Sequence, residues 1–330
     1  MANAKNGRSG KKLEKYKLAV LTLVITLLVS ASLTGCYTIW PVSTETTIPS
    51  THKQEYTEGI DGDLQVHMIN VGQADSFLLV QEGNVALVDC GTRSTGKDAV
   101  EYIKGLGITK IDYVFGTHPH DDHMGGMYDI ITNFEIGKII LPKVSEGQVT
   151  TNWYIKLMKQ IVEGGYEVEY SQTGNMYQLG KAAIKILWQS NEPQKNVNNY
   201  SNIMKVSFGE MDIIMTGDAE TEIEKEVINA ELNLEAEIIK IGHHGSDTSS
   251  SDEFLNEVNP QYALISAKLG NKYNHPTEIT MKKLQQRNII VYRTDECDTV
   301  IATITANGVT FSSKPGDYLS GTELEAKKAS

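Results

Sequence analysis

The stretch Thr117-His118-Pro119-His120-Asp121-Asp122-His123-Met124-Gly125-Gly126, directly after the apolar run at 113–116, constrains this chain more than any other. Residues two apart at an extended strand exit project to the same side, so His118 and His120 can share one metal ion. Asp122 and His123 follow where the chain turns, and can address a second ion or the water beside it. Gly125 and Gly126 let the next helix begin close to the site. A lone histidine is more often a hydrogen-bonded structural residue than a ligand. Three His and one Asp at this spacing arise by chance only about once in several thousand trials at this chain's own His frequency, so metal binding is the expected chemistry.

Around this motif the chain reads as strands first, at 64–71, 76–81, 85–89 and 113–116. Helical-period segments at 96–106, 125–134, 153–163, 220–230, 250–258 and 277–287 then alternate with apolar strands. Those strands fall at 138–141, 184–188, 203–208, 212–215, 238–241, 262–265, 289–292 and 300–304. Mixed strands with helices on their outer faces predict a layered α/β domain. With 40% hydrophobic and 22% charged residues among 330, the chain has the material for a sizeable core.

Several separated segments resemble the metallo-β-lactamase superfamily, and within it the hydrolase-like domain of ComEC-type DNA-uptake proteins. They are Asn70-Val71-Gly72-Gln73-Ala74-Asp75-Ser76, Leu87-Val88-Asp89-Cys90-Gly91, the His118–His123 motif, Met215-Thr216-Gly217-Asp218, Lys240-Ile241-Gly242-His243-His244-Gly245-Ser246 and Asn274-His275-Pro276. The resemblance spans about residues 64–305 and implies a four-layer αββα sandwich with metals at one edge of two facing sheets. It implies that Asp218 bridges two metals and that His275 comes to the same edge. Adjacent strand residues point to opposite sides, so one of His243 and His244 is expected as a ligand. His244 is preferred, and His243 is left in the pocket beside a phosphate or leaving group, with the two roles open to exchange.

The resemblance thus implies His118, His120, Asp122, His123, Asp218 and His244 as metal residues, with Asp122, His243 and His275 in catalysis. No histidine stands between Met124 and Asp218, so the first metal lacks its usual third imidazole, and Asn198-Asn199-Tyr200-Ser201 resembles the Asn-Ser segment that ComEC-type domains carry there. Asp89 is expected to orient a histidine or the motif loop, a role that a simple turn-fixing carboxylate would mimic. Asp75 has the same ambiguity and is left outside the site.

At the N-terminus six basic residues and one acid precede an apolar run at 18–33, too short for an ordinary membrane span, that ends in Leu33-Thr34-Gly35-Cys36. This resembles the lipobox of bacterial lipoproteins. The expected organisation is a signal peptide at 1–35, a tether at 36–62 that begins with lipidated Cys36, a hydrolase domain at 63–313 and a polar tail at 314–330. The domain would then sit on the extracytoplasmic face of the cell membrane. Setting the N-terminal excess of five positive charges aside deepens the net charge from −12 to −17, which disfavours a broad nucleic-acid groove but not a local site carrying a divalent metal. Cys90 and Cys297 are expected as free thiols.

The expected function is hydrolysis by one or two zinc ions, or manganese, that acidify water and polarise the scissile group, with Asp122 orienting that water. The partner is expected to be a phosphoester, either nucleic acid or a cell-wall phosphodiester polymer. The competing readings are a hydrolase of lactams or thioesters, and a non-catalytic envelope protein that binds a metal or ligand.

Overall fold

The computed structural model describes residues 62–330; the expected signal, Cys36 and the tether up to residue 61 lie outside the described residues. Strands β1 (Leu64–Met68), β2 (Phe77–Gln81), β3 (Asn84–Val88), β4 (Lys110–Phe115), β5 (Glu135–Leu141) and β6 (Val168–Tyr170) form most of one sheet. A second sheet takes β7 (Met176–Leu179), β8 (Ala182–Trp188), β9 (Ile203–Phe208), β10 (Met211–Met215), β11 (Ile238–Lys240), β12 (Tyr262–Ile265) and β13 (Ile290–Arg293) in simple order. The chain then returns to the first sheet with β14 (Val300–Thr305) and β15 (Gly308–Phe311), giving the order β15-β14-β1-β2-β3-β4-β5-β6.

Period-two alternation sends side chains to two different layers. In β10, Ile213 and Met215 face the other sheet while Ile214 faces the helices outside. Phe77, Phe115, Met204 and Val206 fill the layer between the sheets. On one outer face α1 (Gly96–Gly105), a short α2 (Asp121–Met124), α3 (Met127–Asn133) and α4 (Asn152–Glu163) bury Ile103, Met124, Ile130 and Leu157 against Val114 and Ile139. On the other, α5 (Thr221–Asn229), α6 (Asp252–Val258) and α7 (Glu278–Gln286) bury Ile223, Phe254 and Met281 against Ile239 and Val291. Each such side chain contributes about 1.5–3 kcal/mol, and the three apolar layers make a four-layer αββα sandwich.

The site follows from strand direction. β3 through β6 run parallel, as do β10 through β13, and the register aligns Val88 with Phe115 and Met215 with Lys240 and Leu264. The residues just past those ends are Asp89, Thr117-His118, Asp218, His243-His244 and Ser266, so the polar residues gather where open α/β sheets leave room for ligands. Asn202 ties the two edges together: its backbone N–H donates to Thr117 O at 3.1 Å and its carboxamide to Gly116 O at 3.2 Å.

Two differences from the sequence reading stand out. The short strands β6, β7 and β15 were not expected. The stretch read as a polar tail at 314–330 is packed against the domain: it carries α9 (Gly321–Ala329), preceded by α8 (Thr294–Cys297) at the end of β13, and buries Leu324. Cys90 and Cys297 are free thiols. Among the described residues no helix is long and apolar enough to cross a membrane.

Candidate metal centre

After Phe115 the strand leaves the sheet, and Asp89 holds the exit. Its carboxylate accepts from the Thr117 backbone N–H and hydroxyl, both at 2.8 Å, and from His123 Nδ1 at 2.7 Å. Asp89 therefore fixes both the loop and one imidazole, the two roles expected of it. The chain coils into α2 directly after His120, with Cys90 N–H donating to His123 O at 2.7 Å. This close approach requires glycine at 126, where a Cβ would lie 2.0 Å from Cys90 O.

His118 and His120 face each other with Nε2 and Nδ1 3.0 Å apart, within hydrogen-bond distance. Among the described residues no third imidazole joins the pair in a ligand cluster. Ser201, from the Asn-Ser segment, stands behind them: its hydroxyl accepts from the Asp218 N–H at 3.0 Å and lies 3.2 Å from His118 Nδ1. It buttresses His118 and Asp218.

The tighter arrangement lies alongside. One ligand atom from each of Asp122, His123, Asp218 and His244 falls within 4.8 Å of all the others, whereas among the described residues His118 and His120 enter no cluster of that kind. His123 Nε2 is 3.2 Å from Asp218 Oδ1, and His244 Nε2 is 3.6 Å from Asp122 Oδ2 and 3.8 Å from Asp218 Oδ2. Ligand atoms around a tetrahedral zinc with bonds of 2.0–2.2 Å stand about 3.3–3.6 Å apart. His123 Nε2, Asp218 Oδ1 and His244 Nε2 are also buried without a hydrogen-bond partner, a costly arrangement for three converging polar atoms unless a cation satisfies them. The residues fit a divalent metal. The far nitrogens are already oriented: His123 Nδ1 on Asp89, and His244 Nδ1 on Ser266 O at 3.0 Å.

Beneath these histidines lies a pair that sequence reasoning left out. Lys240, fully buried at the end of β11, places Nζ 2.7 Å from Asp75 Oδ2, 3.1 Å from Gly217 O and 3.8 Å from Asp218 Oδ1. The other oxygen of Asp75 accepts from the Ser266 hydroxyl at 2.6 Å and stands 3.4 Å from His244 Nδ1. Asp75 thus belongs inside the site, because partners from β11 and β12, far away in sequence, fold over it.

The protonation pattern follows. Burial opposes charge on Asp75, yet Lys240 and His244 outweigh it and hold the carboxyl well below the usual range. Burial likewise lowers His123 and His244, but Asp218 with Asp89, and Asp218 with Asp75, overcome it; His123 ends well above its ordinary value and His244 at about 9. Burial and the neighbouring His123 push His118 well down.

The adjacent histidines diverge for a different reason than expected. His243 and His244 both have left-handed backbone, φ 49° and 54°, in a tight 3-10 turn rather than a strand. His244 enters the buried cluster, while His243 lies toward the mouth with Nδ1 3.2 Å from Thr248 Oγ1 and Nε2 3.7 Å from Asp218 Oδ2. His275 comes to the same edge, its ring centroid 5.5 Å from that of His243. Burial lowers both, and the proximity of His243 and His244 helps bring His275 to about 4.

The chain is similar to several known proteins. The chain is 30% identical over 254 residues to ComE operon protein 3 of Bacillus subtilis (strain 168), covering 72% of this chain and 32% of that protein. It is 27% identical to the competence protein ComA of Neisseria gonorrhoeae, covering 71% and 31%. The chain thus spans about a third of the length of the curated relatives it matches. CmlA, a diiron beta-hydroxylase from Streptomyces venezuelae, aligns with a TM-score of 0.49 at 15% identity over 71% of this chain and 53% of that one. The family model of the metallo-beta-lactamase superfamily matches residues 69–267, a span that runs from before Asp75 to just past Ser266 and takes in every residue of the compact cluster. On that match, over more than half its length, the chain belongs to the metallo-beta-lactamase superfamily.

Proposed function

We propose that the protein is a metal-dependent phosphoesterase acting on phosphodiesters or phosphomonoesters. The observation that carries this reading is the convergence of His123 Nε2, Asp218 Oδ1 and His244 Nε2, buried and unpartnered, beside a carboxylate at the mouth. His123, Asp218 and His244 would hold a divalent cation, zinc or in its place manganese, which would supply Lewis acidity toward the phosphoryl oxygen and the water.

The chain's own residues do the rest. The partly exposed Asp122 carboxylate, with Oδ2 3.6 Å from His244 Nε2, aligns the attacking water and accepts its proton. His243 and His275 are kept neutral by burial, so each offers an N–H hydrogen bond to the phosphoryl or departing oxygen. Lys240 and Asp75 hold the floor of the site in one arrangement. The names of the relatives, competence proteins among them, agree with a nucleic-acid phosphodiester, and an envelope phosphodiester fits the same chemistry.

The reading is tested with Asp122→Ala and His243→Ala. Turnover in Asp122→Ala is expected to fall by about two orders of magnitude or more. His243→Ala is expected to lower turnover and keep its metal. Loss of metal from His243→Ala but not from His244→Ala would exchange the two roles.

A further inference from the structure

The family match ends at residue 267, yet the chain beyond it closes one wall of the site. His275 lies there: its Nδ1 is buried without a hydrogen-bond partner, and its ring stands between His243, edge-on to one side, and the exposed Tyr273, stacked at 5.6 Å. No hydrogen bond holds Nδ1, and the backbone that carries the ring is tied down. The His275 carbonyl accepts from the Asn271 carboxamide at 2.6 Å, and the Asn271 side-chain oxygen accepts from the His275 N–H at 3.1 Å.

The first residue of α9 presses on the same carbonyl. Gly321 N–H donates to Pro276 O at 2.8 Å, and a Cβ at Gly321 would lie 2.3 Å from His275 O. Lower in the loop, a Cβ at Gly270 would lie 2.9 Å from Glu325 Oε1. The helix is itself well anchored. Ser320 and Glu323 cap its start reciprocally, and Leu324 is buried. The fully buried Arg293 grips Asp295 through two hydrogen bonds, at 2.6 and 2.7 Å, and donates to Leu319 O; Lys328 Nζ reaches Asp295 O at 2.7 Å.

We propose that residues 316–329 form a clasp in which Gly321, against the His275 carbonyl, positions the His275 ring beside His243 on the leaving-group side of the site. This rests on the phosphoesterase reading. Gly321 and Asn271 act through His275 and are positioning residues.

The test uses the full chain, metal-loaded, with two substrates: bis(p-nitrophenyl) phosphate, whose leaving group needs little help, and a dinucleoside phosphate, whose departing alkoxide needs a donor. Gly321→Val is expected to lower kcat on the dinucleoside phosphate about tenfold or more, with a smaller loss on the activated ester and with KM and metal content unchanged. Asn271→Ala, a gentler change, is expected to reproduce the pattern. In a His275→Ala background neither substitution adds a further loss, because they share one pathway. Independently of turnover, amide hydrogen exchange over 268–277 is expected to rise in Gly321→Val. Multiplicative losses in the double variants, or unchanged exchange over that loop, would overturn the clasp. Normal turnover of both substrates by His275→Ala would remove its catalytic role first and the clasp with it. Failure of the wild type on both substrates would instead overturn the phosphoesterase reading and, with it, the proposal.

Discussion

Lys240 Nζ lies 2.7 Å from Asp75 Oδ2, and both side chains are sealed from solvent directly under His123, Asp218 and His244. Breaking a buried pair by removing one partner costs about 3–5 kcal/mol, because an uncompensated charge is left behind. Lys240→Met is therefore expected to lower unfolding free energy by that order, and Asp75→Asn by a comparable amount. The double variant should recover part of the loss, since neither charge is then stranded. Urea denaturation of the four proteins checks this; strictly additive losses would mean that the two residues do not act as a pair.

Metal loading should show two unequal steps. The compact set of Asp122, His123, Asp218 and His244 is expected to keep an ion at chelator concentrations that strip any ion held by His118 and His120, which among the described residues enter no ligand cluster. Ser201→Ala removes the hydroxyl that accepts from the Asp218 N–H and contacts His118, and is expected to weaken affinity about 10–100-fold. Equal and tight retention of two ions across the titration would contradict the asymmetry.

Much of this site could be read before folding, and the reasons are local. His118, His120, Asp122 and His123 sit within six residues, so their spacing alone brings them to one place. Lys240 and Asp75 were hidden for the opposite reason: they meet only when β11 lies over the loop after β1. A signal did exist, since a lysine inside Ile238-Ile239-Lys240-Ile241 must be paired if the run is buried. The strands at 64–68, 203–208 and 211–215 alternate or run apolar and were legible, whereas β6, with three residues, shows no period. Helix α9 buries Leu324 but presents no apolar stripe, and its one sequence mark is the Ser320-x-x-Glu323 cap.

His67 gives the fold a pH dependence separate from the candidate metal centre. It is buried under Tyr102, whose hydroxyl lies 2.8 Å from Nδ1, and burial lowers it to about 4 from 6.5. The unfolded chain therefore binds this proton more readily, and the contribution to stability that is present above pH 6.5 is lost as pH falls toward 4. Thermal unfolding midpoints should decline over that window, with a shallower decline in His67→Gln. Parallel declines in the two proteins would remove His67 as the cause.

The proposed lipid anchor is checked at Cys36. Cys36→Ala expressed in a bacterium with lipoprotein processing is expected to abolish cleavage before that residue and to shift the protein out of the detergent phase. Unchanged processing and partitioning would end the lipoprotein reading.

The central claim is met most directly by one measurement: turnover of bis(p-nitrophenyl) phosphate, a nucleic-acid phosphodiester, a lactam and a thioester by the purified protein, first stripped by chelator and then reloaded with zinc or manganese. The expected result is phosphodiester cleavage that disappears on stripping, returns on reloading and falls at least about a hundredfold in Asp122→Ala. Metal-loaded protein that cleaves the lactam or thioester but no phosphoester, or phosphoester cleavage that survives complete metal removal, would contradict it.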